Sequence, residues 1–141
     1  MEPLTPADLP EGALLLMDSA PIIYVLEDHA RLAARFQPLF EAHAAGRLRF
    51  AVTTITVAEV LTGPLQARNE ALARRYRAIL ESWQLVDLDV GIAESAARLR
   101  SACRLKLADA VQAASALAVN AAALVTHDRD FARVPSLRVI S

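Results

Sequence analysis

Short apolar runs alternate with longer amphipathic segments along this chain, and that alternation constrains the fold more than any other feature. The first run, LLLM at 14–17, is wholly apolar, which is the pattern of a strand buried on both faces. Further strand candidates, mainly but not wholly apolar, follow at 48–52, 85–88, 122–126 and 137–140. Strands that alternate with helices favour an α/β fold, so we expect a central, mainly parallel sheet of about five strands with helices on both faces.

The segments between these runs carry apolar residues at helical spacing. In the second of them, Leu32, Phe36 and Leu39 fall on one face of a helix. Gly63-Pro64 is expected to stop the helix after the second strand, because both residues disfavour a helix interior. The predicted helices span 22–29, 31–45, 53–61, 69–83, 92–104 and 109–120.

The length of 141 residues is sufficient for one domain with a sizeable core. We expect residues 1–12, rich in proline and acids, to form an N-terminal extension and residues 13–141 to form a single domain. The N-terminus lacks the basic start of a secretory signal and no apolar run has the length of a membrane span, so a cytoplasmic protein without membrane contact is expected. The lone Cys103 excludes an internal disulfide and a cysteine-based zinc site.

The formal net charge is −1, from 15 basic and 16 acidic residues. This balance argues against bulk attraction to nucleic acid but leaves local basic patches open. Only Lys106 among the basic residues is a lysine. Arginine makes bidentate contacts with phosphate, so the bias suits an anionic partner. It is equally explained by a GC-rich coding sequence.

Four acids are expected at one edge of the predicted sheet. Asp18 directly follows the first strand, Glu59 lies in the helix after the second, Asp109 opens a helix, and Asp128 follows the fourth strand. Ligands of such sheets bind beyond the carboxyl ends of the strands. Carboxylates gathered there would repel one another strongly, and a divalent cation relieves that repulsion. Magnesium and manganese prefer carboxylate and water ligands, so the pattern favours a metal site.

Helix capping is the alternative explanation for each acid. Thr56 and Glu59 have the spacing of a capping box, and Asp18, Asp109 and Asp128 could each be an N-cap. If capping were the whole explanation, the position of these acids after successive strands would be a coincidence. The metal interpretation is therefore favoured for the set as a whole.

The four acids and their surroundings resemble a known family. They stand in LLLMDSAPIIYVLE, TTITVAEVL, LKLADAVQAASAL and ALVTHDRDF. In this order they closely resemble PIN-domain ribonucleases, and most of all the small toxins of VapC-type toxin–antitoxin pairs. The resemblance extends over nearly the whole chain, from about residue 14 to residue 140. It implies a three-layer PIN-like fold.

The resemblance implies a metal-dependent endoribonuclease that cleaves RNA phosphodiester bonds. Asp18, Glu59, Asp109 and Asp128 match the family acids that gather Mg²⁺ or Mn²⁺, with Asp18 and Asp109 the best candidates for direct ligands. Glu59 would ligate through water or orient the nucleophile, and Asp128 would complete the second shell or a second metal position. One departure is Ala20, because many members carry serine or asparagine there.

Two hydroxyls adjoin these acids. Ser19 and Thr126 could bond a carboxylate or a water of the metal, although ordinary turn chemistry explains them too, and explains Ser19 slightly better. Asp130 is a possible auxiliary acid, but a solvated helix residue is the favoured interpretation. His127 has no evident catalytic partner and is expected to be incidental.

Partners follow from the resemblance as well. It implies an RNA substrate, a homodimer and a cognate antitoxin protein whose tail lies near the acidic site. Arg100 and Arg104 share a helix face shortly before Asp109, so they are candidates for RNA phosphate contacts. A solvated helix face has equal weight.

Three rival readings use the same residues. Haloacid-dehalogenase-like phosphatases need a second aspartate where this chain has Ala20. Response-regulator receivers need a lysine after the last strand, and Lys106 is poorly placed for that. A PIN-like module that binds RNA or acts as a scaffold without nuclease activity keeps the fold and the acids. A test for metal-dependent RNA cleavage distinguishes such a module from the enzyme.

Overall fold

A single five-stranded sheet forms the centre of the computed structural model, which describes residues 6–141. The strand order is β3-β2-β1-β4-β5, and every neighbouring pair is parallel. The predicted α/β architecture is thus confirmed, with a sheet that is parallel throughout. The strands are β1 (Ala13–Met17), β2 (Leu48–Thr53), β3 (Gln84–Val86), β4 (Ala123–Val125) and β5 (Val139–Ile140).

Helices cover both faces of this sheet. They are α1 (Ser19–Leu26), α2 (Leu32–Ala44), α3 (Thr54–Gln66), α4 (Glu70–Glu81), α5 (Val90–Cys103) and α6 (Leu107–Ala118), with short 3-10 helices at Pro6–Asp8 and Arg129–Arg133.

Strand β1 is buried on both faces, as its apolar run predicts. Leu15 and Met17 belong to the core between the sheet and helices α1 to α4. Leu14 and Leu16 point the other way, into the core beneath α5 and α6. Alternate side chains of a strand face opposite sides, so one apolar run serves two cores. The two cores and the sheet make the three layers of the fold.

Helix α3 does not stop at Gly63-Pro64, so that prediction is wrong. The helix continues to Gln66 with Pro64 buried inside it. Proline here lies in the last turn, where its missing N–H removes only one backbone bond. The Gly63 carbonyl accepts from Ala67 N–H at 3.1 Å and the Pro64 carbonyl accepts from Asn69 N–H at 2.8 Å. Both carbonyls are therefore satisfied beyond the supposed break.

The segment before β1 contacts the domain. Leu9 is buried in the core, and the Gly12 N–H donates to the Arg47 carbonyl at 2.8 Å. Residues 1–5 of the expected extension lie outside the described residues, and the boundary at 12/13 stays a prediction. In the described part of the chain, every helix is too short or too polar to cross a bilayer.

Candidate metal centre

The acidic residues converge where the direction of the sheet changes. β1 pairs with β2 on one side and with β4 on the other, so the connections diverge from its carboxyl end. In open parallel sheets a crevice forms at such a point. Here a cleft of about 730 Å³ lies there, and its lining includes Asp18, Glu59, Asp109 and Asp128. The tertiary structure thus brings the four predicted acids to one cleft.

Asp18 is held in place by three hydrogen bonds. Its Oδ1 accepts from Ser19 N–H at 2.9 Å and from Gln112 Nε2 at 3.0 Å. Its Oδ2 accepts from the Thr126 hydroxyl at 2.7 Å. A carboxylate has about four lone-pair positions, so one remains open on Oδ2. Asp18 is therefore both the N-cap of α1 and a fixed carboxylate with one free position.

Gln112 is a site residue that the sequence reasoning missed. It is buried in α6, where its Oε1 accepts from the Thr53 hydroxyl at 2.6 Å. Its Nε2 donates to Asp18 and to Thr56 Oγ1, the latter at 2.7 Å. An ionised carboxylate only accepts, so the amide nitrogen must face Asp18. The available signal was a lone amide in an otherwise small and apolar segment, three residues after Asp109.

Thr53 is the true cap of α3, and this overturns the capping-box alternative. Its hydroxyl accepts from Thr56 N–H at 3.1 Å. Thr56 is therefore inside the helix, and Glu59 lies more than one turn along it. Glu59 therefore has no capping role, and it lines the cleft.

Thr126 connects two of the acids. Its buried hydroxyl donates to Asp18 Oδ2 and accepts from the Asp128 N–H at 3.0 Å. The Asp128 Oδ1 in turn accepts from the Asp130 N–H at 2.8 Å and caps the short helix that follows. Asp128 can both cap this helix and line the cleft, because the cap uses only one of its two carboxylate oxygens.

Asp109 lies in the first turn of α6 and is not its N-cap. The helix begins at Leu107, with Lys106 at the cap position. This places the Asp109 carboxylate near the positive end of the helix dipole. Carboxylate oxygens of Asp109, Asp128 and Asp130 lie within 4.8 Å of one another. Asp130, expected to be solvated, thus stands beside two cleft acids, and it also pairs with Arg133 at 3.3 Å.

Comparison with known proteins identifies the family. The family model described as "PIN domain" matches residues 15–137, most of the chain. The chain belongs to the PIN-domain family. No curated protein matches the chain.

Solved structures agree with this fold. A toxin–antitoxin complex from Klebsiella pneumoniae is 26% identical with a TM-score of 0.71, and the match covers 90% of this chain and 96% of that chain. VapBC2 from Rickettsia felis, bound to a promoter DNA fragment, is 20% identical (TM-score 0.70, coverage 89% and 96%). VapBC-1 from nontypeable Haemophilus influenzae is also 20% identical (TM-score 0.69, coverage 89% and 96%).

The carboxylates of this PIN domain perturb one another. Burial raises the pKa of Asp109, and the charges of Asp128, Asp18 and Asp130 raise it further, against an opposing effect of Lys106. Burial also raises the pKa of Glu59, as do Asp18 and Asp109, while a hydrogen bond from Ser19 acts in the opposite direction. The site therefore favours the binding of protons or of a metal cation, because either would reduce the repulsion among the carboxylates.

The rim of the cleft is aromatic and basic. The Tyr24 hydroxyl lies 3.0 Å from His127 Nδ1, and the two rings meet edge to face at 5.5 Å. Arg129 lines the cleft, whereas the predicted phosphate contacts do not. Arg100 is exposed on α5, and Arg104 follows that helix, with its carbonyl accepting from Arg133 at 3.1 Å. Their role in RNA binding stays a prediction.

The donor set suits a hard divalent cation. Carboxylate oxygens and hydroxyls line the centre of the cleft, and within residues 6–141 the side chains close enough to share an ion are all aspartates. Magnesium and manganese prefer such oxygen donors, whereas structural zinc sites use cysteine and histidine. Asp109, Asp128 and Asp130 form that group of aspartates and would hold the ion, with Asp18 and Glu59 in the lining of the same cleft as further candidate ligands.

Proposed function

We propose that this protein is a metal-dependent endoribonuclease that uses Mg²⁺ or Mn²⁺ to hydrolyse RNA phosphodiester bonds. One observation carries the proposal: four carboxylates from separate elements converge on one cleft in a PIN domain. The raised pKa values of Glu59 and Asp109 support it, because burial and then the neighbouring carboxylates disfavour their charged forms, and a bound cation would offset both effects. When bound, the cation would stabilise charge on the phosphate and favour ionisation of the attacking water.

The side chains would divide the work of binding and positioning. Asp18 offers its free Oδ2 position, while Gln112 and Thr126 keep its carboxylate in one orientation. Asp109 and Asp128 supply the facing oxygens. Glu59 is the most exposed of the four, and its raised pKa suits it to take a proton from the attacking water. Ser19 would hold Glu59 in place through its hydrogen bond.

The biological role that we propose is the toxin of a type II toxin–antitoxin system. The support is the likeness to the Klebsiella pneumoniae toxin–antitoxin complex and the two VapBC structures. The partners would be a cognate antitoxin and a second copy of this chain. A ribonuclease of this kind would act in the cytoplasm, where it meets RNA.

Cleavage of RNA by purified, antitoxin-free protein tests the proposal. We expect labelled RNA to be cut with Mg²⁺ or Mn²⁺ and left intact with EDTA. Expression alone is expected to arrest growth, and co-expression of a cognate antitoxin to restore it. RNA that is bound but never cut with any divalent metal would instead support the binding or scaffold module.

A further inference from the structure

A second groove adjoins the acidic cleft and differs from it in charge. Its volume is about 570 Å³, and it is lined by two arginines together with Ala132, Leu137, Val139 and Ser141. The arginines are Arg35 and Arg129. Arg129 lines the acidic cleft as well, so the two cavities meet at its side chain.

Arg129 is available for a ligand. It is exposed and immediately follows Asp128, at the start of the 3-10 helix. Within residues 6–141 no hydrogen bond or ion pair engages its side chain, whereas nearby Arg133 pairs with Asp130. An unengaged guanidinium offers a planar fork of donors that matches a phosphate.

Arg35 is held over the same groove. Its Nη2 donates to the Ser141 carbonyl at 3.1 Å, which restrains an otherwise exposed side chain of α2. A guanidinium has five N–H donors, so most of them stay free. Leu137 and Val139 form an apolar wall beside it. Two guanidinium groups along an apolar wall are suited to a nucleotide chain, since the guanidinium groups can bind its phosphates and the wall can contact its sugars and bases.

We propose that the groove binds the backbone of the RNA strand next to the bond that is cut, with Arg129 and Arg35 contacting successive phosphates. This inference rests on the proposed function. A single strand that followed the groove would continue into the cleft, where a cation held by the carboxylates would attract the scissile phosphate. An acidic peptide could bind in the groove but could not continue into the cleft, because the carboxylates of the cleft would repel its acidic side chains. The assignment also differs from Arg100 and Arg104, which line neither cavity.

RNA binding without cleavage isolates this contact. The full chain with Asp18→Asn, expected to be inactive, is titrated against fluorescent single-stranded RNA by anisotropy. Adding Arg129→Ala or Arg35→Ala is expected to weaken binding about tenfold, the effect of losing one charge-assisted contact. The slope of log affinity against log salt should fall by about 0.7 for each arginine removed. Arg129→Lys keeps the charge and should recover part of the loss.

Arg74→Ala is the matched control, since Arg74 is exposed on α4 and lines neither cavity. Unchanged RNA affinity in the Arg129 and Arg35 variants would overturn the proposal, as would losses confined to Arg100→Ala and Arg104→Ala. Arginine-dependent binding of polyglutamate without binding of RNA would also overturn it and favour an acidic peptide.

Cleavage assays separate this inference from the proposed function. Active chain carrying Arg129→Ala should show a higher KM for RNA with little change in kcat. If the parent cuts RNA and the variant keeps its KM, only the groove assignment fails. If the parent neither cuts nor binds RNA, both fail.

Discussion

The side-chain amide of Gln112 donates to Asp18 Oδ1 at 3.0 Å and joins the end of β1 to the core of α6. The same amide bonds Thr53 and Thr56 at the start of α3. Three elements are thus locked to one carboxylate by a buried side chain. Because both N–H donors and the oxygen of the amide are engaged, the orientation of Asp18 depends on it.

Replacement of Gln112 by leucine should weaken both the fold and the metal site. The change removes the three hydrogen bonds of the buried amide, while the contacts between Thr53 and Thr56 remain, so the free energy of unfolding should fall by about 1–3 kcal/mol. Mn²⁺ affinity should fall about 10–100-fold, because Asp18 is no longer held. Urea unfolding and calorimetry measure the two effects. Gln37→Leu, on an exposed position of α2, should change neither; a Gln112→Leu variant with parental metal affinity would contradict the positioning role.

Asp18→Asn should abolish metal-dependent cleavage while the protein stays folded. An amide can still accept from Ser19 N–H, but it loses the charge that attracts the cation. We expect RNA cleavage to drop by about 100-fold or more, with an unchanged circular dichroism spectrum. Asp87→Asn, exposed and outside the acidic cleft, should cleave like the parent. Full activity of folded Asp18→Asn would refute the site assignment.

Stability should depend on pH through Glu59 and Asp109. Their pKa values are raised in the folded protein, so the folded state holds these protons more tightly than the unfolded state. The stability that these two protons contribute is greatest below the ordinary carboxyl pKa of about 4. It is lost as the pH rises from there through the higher pKa of the folded state. In EDTA, Asp109→Asn and Glu59→Gln should therefore stabilise the protein at pH 7, and the gain should shrink towards pH 4. Urea unfolding at both values checks the trend, which a gain independent of pH would contradict.

Divalent metal should raise the melting temperature. A ligand that binds only the folded state at 100 times its dissociation constant adds about 2.7 kcal/mol of stability, a shift of several degrees for a domain of this size. Differential scanning fluorimetry with Mg²⁺, Mn²⁺ or EDTA measures it. Asp109→Asn should lose most of the shift. Equal melting points in metal and EDTA would argue against a preformed site.

Two glycines should respond oppositely to alanine. Gly46 follows α2 with φ +78°, so Gly46→Ala is strained and should cost about 1–2 kcal/mol. Gly63 lies inside α3 with open space at its Cβ position, so Gly63→Ala should stabilise by about 0.4–1 kcal/mol. Chemical denaturation of both variants tests this. A destabilised Gly63→Ala variant would contradict the continuation of α3 through this point.

Local pattern predicted the elements well because an element is specified by its own neighbours. The wholly apolar run at β1 correctly indicated a strand buried on both faces. The end of α3 was misjudged because the penalty for proline depends on its place in the helix and on its burial. Gly63-Pro64 lies in the last turn with Pro64 inside the fold.

The sequence by itself determined the alternation of strands and helices, and it placed Asp18 and Asp128 after strands and Glu59 and Asp109 in helices. Only the tertiary structure decided which side chains meet those acids. Gln112 reaches Asp18 across 94 residues because α6 packs against β1, and Thr126 reaches it across 108 because β4 lies beside β1. The same packing puts Arg129, rather than Arg100, against the cleft. Periodicity is a property of adjacent residues, whereas a site is made by strand order, which no local stretch contains.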